Sequence, residues 1–247
     1  MNQDKAVLIL GSTSDIGNAI AVEYLRHNFN VILAARNSEA LAEQKDRLSA
    51  EFKSKSISSI EFDGSDFEAH QTQYQSIEPI PEGVITVMGY LGEQKVSEIS
   101  FKETHNVINA NYLGNISFLN IVANDFEERG HGFIIGVSSV AADRGRKSNY
   151  IYGSAKAGFT AYLSGLRSRL FHSNVHVLIV HPGFVDTKMT QHLTLPKPLT
   201  AKPEAVAKAI YKAQQSRKNK IYTKPIWKYI MLIIKNIPEP IFKRLSL

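Results

Sequence analysis

Three residues near the middle of the chain have the types and spacing to move a proton at a carbonyl or alcohol oxygen. Tyr152 and Lys156 lie four apart, so on a helix their side chains share one face, one turn from each other. An ammonium beside a phenol favours phenolate and lowers the tyrosine pKa toward the neutral range where a proton donor works. Ser139 closes the apolar run FIIGVSS, which reads as a buried strand, and its hydroxyl can hydrogen-bond the oxygen that Tyr152 protonates. None of the three carries a hydride, so a redox reaction here needs a second agent. A tyrosine four residues before a lysine is also common on helix surfaces, and the pair takes its meaning from the elements that place it.

Those elements alternate. Strand patterns cover residues 6–10, 31–34, 59–62, 84–87, 133–137 and 175–180; helical patterns cover about 15–28, 38–52, 67–76, 101–124, 149–171 and 203–215. Short apolar strands separated by helices predict a parallel sheet covered on both faces. Right-handed crossovers make this a single α/β domain, the doubly wound Rossmann architecture that binds dinucleotides. The length of 247 residues suits one such domain with a sizeable core.

Composition narrows the chemistry. With no cysteine, disulfides, thiolate catalysis and cysteine zinc sites are excluded, and no metal site is expected. The opening apolar run AVLIL is too short for a signal peptide and reads as the first strand, which predicts a cytoplasmic enzyme body. No stretch reaches the roughly 18–20 apolar residues that span a bilayer. Net charge is +6, yet eight basic residues and one acid lie from Arg217 onward, leaving 21 basic and 22 acidic residues in the body. A neutral body with a basic end points away from nucleic acid and toward a local basic patch.

The first strand runs into Gly11, Ser12, Thr13, Ser14, Asp15, Ile16 and Gly17, where a phosphate-binding loop belongs. Glycines let backbone approach a pyrophosphate, and the following helix N-terminus favours the anion. The same two glycines can also mark a plain tight turn. Asp15 suits an N-cap that turns away from the phosphates. The second strand ends in LAARN, offering Arg36 where a cofactor with a free ribose 2′-hydroxyl meets an acid. A guanidinium fits a 2′-phosphate, which favours NADP(H) over NAD(H); stacking on adenine is the other use of Arg36. Asp63 is placed either to bond the adenine amino group or to cap the next helix.

Taken together, these pieces resemble the classical short-chain dehydrogenase/reductase family over about residues 5–215. The motifs are GSTSDIG at 11–17, Asp63, Asn111 in INANYLGN, Ser139 in GVSSVA, YGSAK at 152–156 and HPGFVDT at 181–187. The resemblance implies that Tyr152 is the general acid/base, that Lys156 lowers its pKa and binds the nicotinamide ribose, and that Ser139 orients the carbonyl. It implies that Asn111 holds a water linking Lys156 to solvent. It further implies that Pro182, Gly183, Val185 and Thr187 cover the nicotinamide, with Val185 near its carboxamide, and that the protein is a homo-oligomer. Two departures, Asp15 in the loop and the segment from Gly89 to Gln94 after the fourth strand, are similar to one branch. That branch contains decaprenylphosphoryl-2-keto-β-D-erythro-pentofuranose 2-reductase, and its block around the catalytic tyrosine and its ending IPRPIFRRL are matched here at 138–158 and 237–245. The branch implies NAD(P)H-dependent reduction of a 2-keto pentofuranose on a polyprenyl phosphate, with a flavin oxidase as the partner that makes the ketone. Arg144, Arg146 and Lys147 are then candidates for the substrate phosphate, or else form a solvated loop. Two other readings stand beside it: a reductase of another hydrophobic ketone, alcohol or sugar, and a module that binds NADP(H) without chemistry. An intact Asn111, Ser139, Tyr152 and Lys156 weighs against the last.

After the domain at 1–223, residues 224–247 form a basic amphipathic tail, divided by Pro238 and Pro240. A segment with Trp, Tyr and interspersed lysines suits the plane of an anionic membrane surface, peripheral on the inner face of the cytoplasmic membrane; packing on the core or in an oligomer is the alternative. On the membrane reading, removing 224–247 abolishes liposome binding and leaves cofactor binding intact.

Overall fold

The first strand, β1 (Ala6–Leu10), is buried at every position, because it lies at the centre of a sheet covered on both sides. Its alternate side chains enter two separate cores. Val7 and Ile9 pack with one cluster, and Ala6, Leu8 and Leu10 with the other. The computed structural model describes residues 5–191 and 193–245.

The chain continues through α1 (Asp15–Arg26), β2 (Asn30–Ala35), α2 (Ser38–Glu51), β3 (Ile57–Glu61), α3 (His70–Gln75), β4 (Gly83–Thr86), α4 (Gln94–Ile99) and α5 (Phe101–Ile108). A π-helical turn, Asn109–Leu113, leads without a break into α6 (Gly114–Arg129). Then follow β5 (Gly132–Val137), a 3₁₀ turn at Val140–Asp143, α7 (Tyr150–Arg169), β6 (Val175–Pro182), the two-residue strands β7 (Phe184–Val185) and β8 (Thr200–Ala201), and α8 (Pro203–Gln215). The chain closes with β9 (Lys220–Thr223), α9 (Ile226–Asn236) and α10 (Glu239–Phe242).

The main sheet is parallel throughout, in the order β3-β2-β1-β4-β5-β6-β9. Residues of α1, α2 and α8 cover one face and residues of α3, α6 and α7 the other. This is the expected doubly wound α/β domain. Strand order reverses between β1 and β4, and the crevice beyond their carboxyl ends is where such sheets bind ligands.

Most predicted elements are present within two or three residues at each end. The differences are physical. The long helix predicted over 101–124 extends to Arg129, where Gly130 at φ 70° caps it in the left-handed conformation. Inside it the π turn inserts one residue at Asn109–Leu113, a form that clusters at functional sites. The elements α4, β7, β8 and β9 lie outside the sequence pattern. The short helix α4 is polar, and β9 is a half-exposed edge strand, KIYT, with no apolar run to mark it.

Candidate active site

The loop after β1 turns at Gly11, whose φ of 80° suits glycine alone. A Cβ on Gly17 would overlap the Gly11 carbonyl, so both glycines are required for the helix to start this close to the strand. Ser14, and not the expected Asp15, is the N-cap: its hydroxyl accepts from the Gly17 amide at 3.1 Å. Asp15 instead accepts the Lys188 amide at 2.7 Å, tying this loop to the segment after β7. Ser12 is fully buried with its hydroxyl unpartnered, and Gln44 holds its carbonyl from α2 at 2.8 Å.

Beside this loop a groove of about 440 Å³ runs across the switch point. Of the residues singled out for the cofactor, Gly11, Thr13, Ser14, Arg36, Asp63 and Gly89 line it and Ser12, Asp15, Ile16 and Gly17 do not; Gly64, Ser65, Met88, Tyr90, Asn106 and Asn109 line it too. Asp63 neither faces α3 as a cap nor stands free. Its carboxylate accepts from the Ser65 hydroxyl at 2.6 Å and the Ser65 amide at 2.9 Å. The Ser65 bonds, helped by the Arg36 charge, hold it below the usual carboxylate range. Asn109, missed in the sequence, presents a buried, unpartnered side-chain oxygen, and the π turn is the signal that singles out its neighbourhood. A glycine cradle at a helix N-terminus, an exposed arginine at the end of β2 and an unpaired buried amide oxygen fit a dinucleotide laid along this groove.

None of the proton-handling residues lines the groove itself; Asn111 and Lys156 stand against Gly89, which does. Asn111 is fully buried in the π turn. Its amide donates to Val107 O at 2.8 Å and Tyr90 O at 2.6 Å, and its oxygen accepts from the Tyr90 amide. Asn111 thus fixes the chain just after Gly89, where a Cβ would stand 2.7 Å from its oxygen and 3.2 Å from Lys156 Nζ. Lys156 is buried and donates to Val137 O at 3.1 Å and Met88 O at 3.4 Å. Burial pushes its pKa down to about 7. Its ammonium lies 5.9 Å from the Tyr152 ring centroid.

Tyr152 departs from the expected tuning. Burial pushes its pKa up to about 12, opposed by a hydrogen bond from Ser139 and by the charge of Arg146. The charge of Arg146 thus acts on the phenol, alongside the Lys156 ammonium near the ring. Ser139 itself caps the 3₁₀ turn, its hydroxyl accepting from the Ala141 amide at 3.1 Å.

Pro182, Gly183, Val185 and Thr187 do not line the groove. Val185 is buried in the core and pairs with Ala201, its carbonyl accepting from the Thr190 hydroxyl at 2.6 Å, and Thr187 borders a separate shallow recess with Asp15. The indole of Trp227 from α9 covers Gly183 so closely that a Cβ there would collide with it. The same indole donates to Leu199 O at 3.0 Å and meets the Phe184 ring at 5.1 Å. Trp227 and Met231 also bury against Val140, next to Ser139. The inner face of the tail helix is therefore part of the wall between the catalytic turn and the loop after β6, and its removal would disturb both. Arg144 clamps it there. Its guanidinium donates to Ile234 O and Ile237 O at 2.7 Å, pairs with Glu239 at 2.8 Å and lies 3.5 Å over the Phe242 ring. This removes Arg144 from the candidates for substrate phosphate.

The fold and site define a dinucleotide-dependent carbonyl or alcohol oxidoreductase. The family model for short chain dehydrogenases matches residues 5–197, and the chain belongs to that family. It is 33% identical over 242 residues to an uncharacterized oxidoreductase of Mycobacterium tuberculosis, covering 97% of this chain and 96% of that one. It is 30% identical to an uncharacterized oxidoreductase of Streptomyces coelicolor, over 98% of this chain and 96% of the other. Among solved structures, a short-chain dehydrogenase from Sphingobium yanoikuyae in complex with NADPH superposes with a TM-score of 0.81 at 20% identity, covering 95% of this chain and 97% of that one. A gluconate 5-dehydrogenase from Burkholderia cenocepacia in complex with NADP and tartrate gives 0.83 at 16%, covering 93% and 96%.

Proposed function

We propose that this protein uses NADPH to reduce a 2-keto pentofuranose carried on a polyprenyl phosphate, the second step of a ribose-to-arabinose epimerisation. The observation that carries this reading is the apolar outer face of α9, standing beside the catalytic turn. Ile226, Tyr229, Leu232 and Ile233 are half or more exposed there, while the inner face of the same helix walls the site. A soluble ketone gives no reason for such a surface next to the reacting tyrosine; a lipid-linked one does. Arg36 in the groove, with no acid at its position, supports NADP(H) over NAD(H), in keeping with the cofactors named for the solved relatives.

Gly11, Arg36 and Asp63 in the groove would hold the dinucleotide, whose chemistry there would be hydride donation to the ketone carbon. Ser139 donates a hydrogen bond to the carbonyl oxygen and sets its direction. Tyr152 gives that oxygen the phenolic proton as negative charge develops on it. Lys156 binds the ribose and returns a proton to the phenolate, and Asn111 keeps Lys156 and the Gly89–Tyr90 backbone in register for a water relay to solvent. The outer face of α9, flanked by Lys228 and Lys235, rests on an anionic membrane surface, which places the enzyme on the inner face of the cytoplasmic membrane. A flavin oxidase supplies the ketone, and the enzyme works as a homo-oligomer through the helices after β4 and β5, where Ile99 and Phe101 stand 90% and 81% exposed.

The test follows NADPH and NADH oxidation with polyprenyl-phosphoryl ribose supplied together with a flavin oxidase acting on it. Turnover with an arabinose product is expected, faster with NADPH. No turnover with either cofactor, from protein that still binds NADPH, would remove this substrate and point to another hydrophobic ketone.

A further inference from the structure

Between the Val140–Asp143 turn and α7, the loop carries three cations with three different fates. Arg144 is consumed by the tail clamp described above, and Lys147 is exposed. Arg146 is half-buried. Among the described residues its side chain makes no hydrogen bond or ion pair, and its Nε is buried without a partner. The acid that acts on its charge, Asp143, already meets the Tyr222 hydroxyl at 2.7 Å, Lys220 at 3.4 Å and His181 at 3.5 Å. The Arg146 charge acts on both Tyr152 and Asp143.

A second unmade bond lies three residues on. Asn149 is the N-cap residue of α7, but its side chain caps nothing and its oxygen is buried without a partner. Its amide nitrogen donates to Arg146 O at 3.1 Å, which holds the two residues in one turn. Gln94 fixes the start of α7 from the other side by accepting the Ile151 amide at 3.2 Å. A partly desolvated guanidinium and an unsatisfied amide are costly in a folded chain, and each calls for a partner that the protein does not supply. Both border the first turn of the helix that carries Tyr152.

We propose that Arg146 and Asn149 form a phosphate subsite for the substrate, with the Arg146 fork on the phosphoryl oxygens and Asn149 on a neighbouring hydroxyl. A guanidinium is suited to phosphate by its planar array of donors. Its bond to Asn149 at the start of the helix that carries Tyr152 selects a phosphate close in bonds to the carbonyl that Tyr152 protonates, as on the carbon adjacent to a 2-keto group. The inference rests on the reductase reading for the identity of the ketone, while the anion subsite is separately testable.

The experiment titrates ribose 1-phosphate, ribose and inorganic phosphate into the full-length, NADP⁺-loaded protein, and compares wild type with Arg146→Gln, Arg146→Lys and Asn149→Ala. Wild type is expected to bind ribose 1-phosphate in competition with inorganic phosphate and at least tenfold more tightly than ribose. Arg146→Gln should remove most of that preference while leaving NADP⁺ affinity in place, which also reports that the variant is folded. Arg146→Lys should restore only part of it, because a point charge replaces the fork. Asn149→Ala should weaken sugar phosphate more than inorganic phosphate. No preference for the phosphorylated sugar in wild type, or an undiminished one in Arg146→Gln, overturns the subsite and leaves the reductase reading standing. An Arg146-dependent preference in a protein that fails to turn over the polyprenyl-phosphoryl ketose leaves the subsite standing and overturns the substrate.

Discussion

At the scale of single residues, the site works by holding charges out of water. Burial pushes the Tyr152 phenol up to about 12 and the Lys156 ammonium down to about 7. The phenol is therefore protonated and ready to donate throughout the neutral range, while the reverse reaction needs the phenolate. Alcohol oxidation is expected to gain rate with each step upward between about pH 6 and 9, as the phenolate fraction grows, while ketone reduction declines above about pH 7 as Lys156 loses the proton it returns to the phenolate. Paired pH profiles of kcat check this, and an oxidation rate that falls with rising pH would remove Tyr152 from its role. Tyr152→Phe should lower turnover by roughly 10²–10⁴-fold with NADPH affinity kept, measured by fluorescence titration. Tyr152, Lys156 and Ser139 are legible in the sequence because their types and spacing alone describe a proton donor on a helix beside a strand end. Asn111 is legible only through family resemblance. The difference between Arg144 and Arg146 is not legible at all. Which guanidinium is taken up by the tail depends on helix-end carbonyls at Ile234 and Ile237, some ninety residues later in the chain.

At the scale of elements, the tail helix has two apolar faces with two uses. Trp227, Met231 and Ile234 recur at helical spacing on the inner side, whereas Tyr229, Leu232 and Ile233 point away from the body. Trp227→Ala should cost roughly 3–5 kcal/mol, lower Tm by on the order of 10 °C and weaken NADPH binding, because the indole covers Gly183. Leu232→Glu with Ile233→Glu should leave Tm within about 2 °C, since surface substitutions away from packed features move stability little, and should abolish pelleting with anionic vesicles. Pelleting unchanged by that double substitution would end the membrane reading. Deleting 224–247 is the poorer test, because it strips Trp227 from the loop after β6 along with the outer face. The amphipathic tail and its break at Pro238 and Pro240 are visible in sequence, but the inner face is not separable from the outer by composition. The strand β9 that leads into it is too short and half-exposed to show, and the π turn keeps the apolar spacing of the helix around it.

At the scale of the whole molecule, the alternation of apolar strands and helices carries the fold, and the pairing order places the crevice. What the alternation leaves unread is a buried polar knot that joins the last strand to the catalytic turn. His181 on β6 is fully buried. It faces Asp143 at 3.5 Å and Thr160 at 3.5 Å, with the Tyr222 ring 5.2 Å away and Lys220 and Lys235 adding positive charge. Burial, with Lys220 and Lys235 helping and Asp143 opposing, pushes its pKa down to about 4. The sign follows from the lowered value. Between about pH 6.5 and 4 the unfolded chain binds the proton and the folded chain does not, so stability falls as acid is added through that window. The full shift corresponds to about 3 kcal/mol, or a drop in Tm of roughly 5–10 °C in a domain of this size. His70 and His176, whose pKa values burial also lowers, add to the same limb, so the share of His181 is isolated by substitution. His181→Gln should lose visibly less Tm than wild type between pH 7 and 4 in paired thermal scans. The readout is the difference in slope, which a uniform loss of stability in the variant leaves unmoved, and parallel curves would show that the knot stays uncharged for another reason.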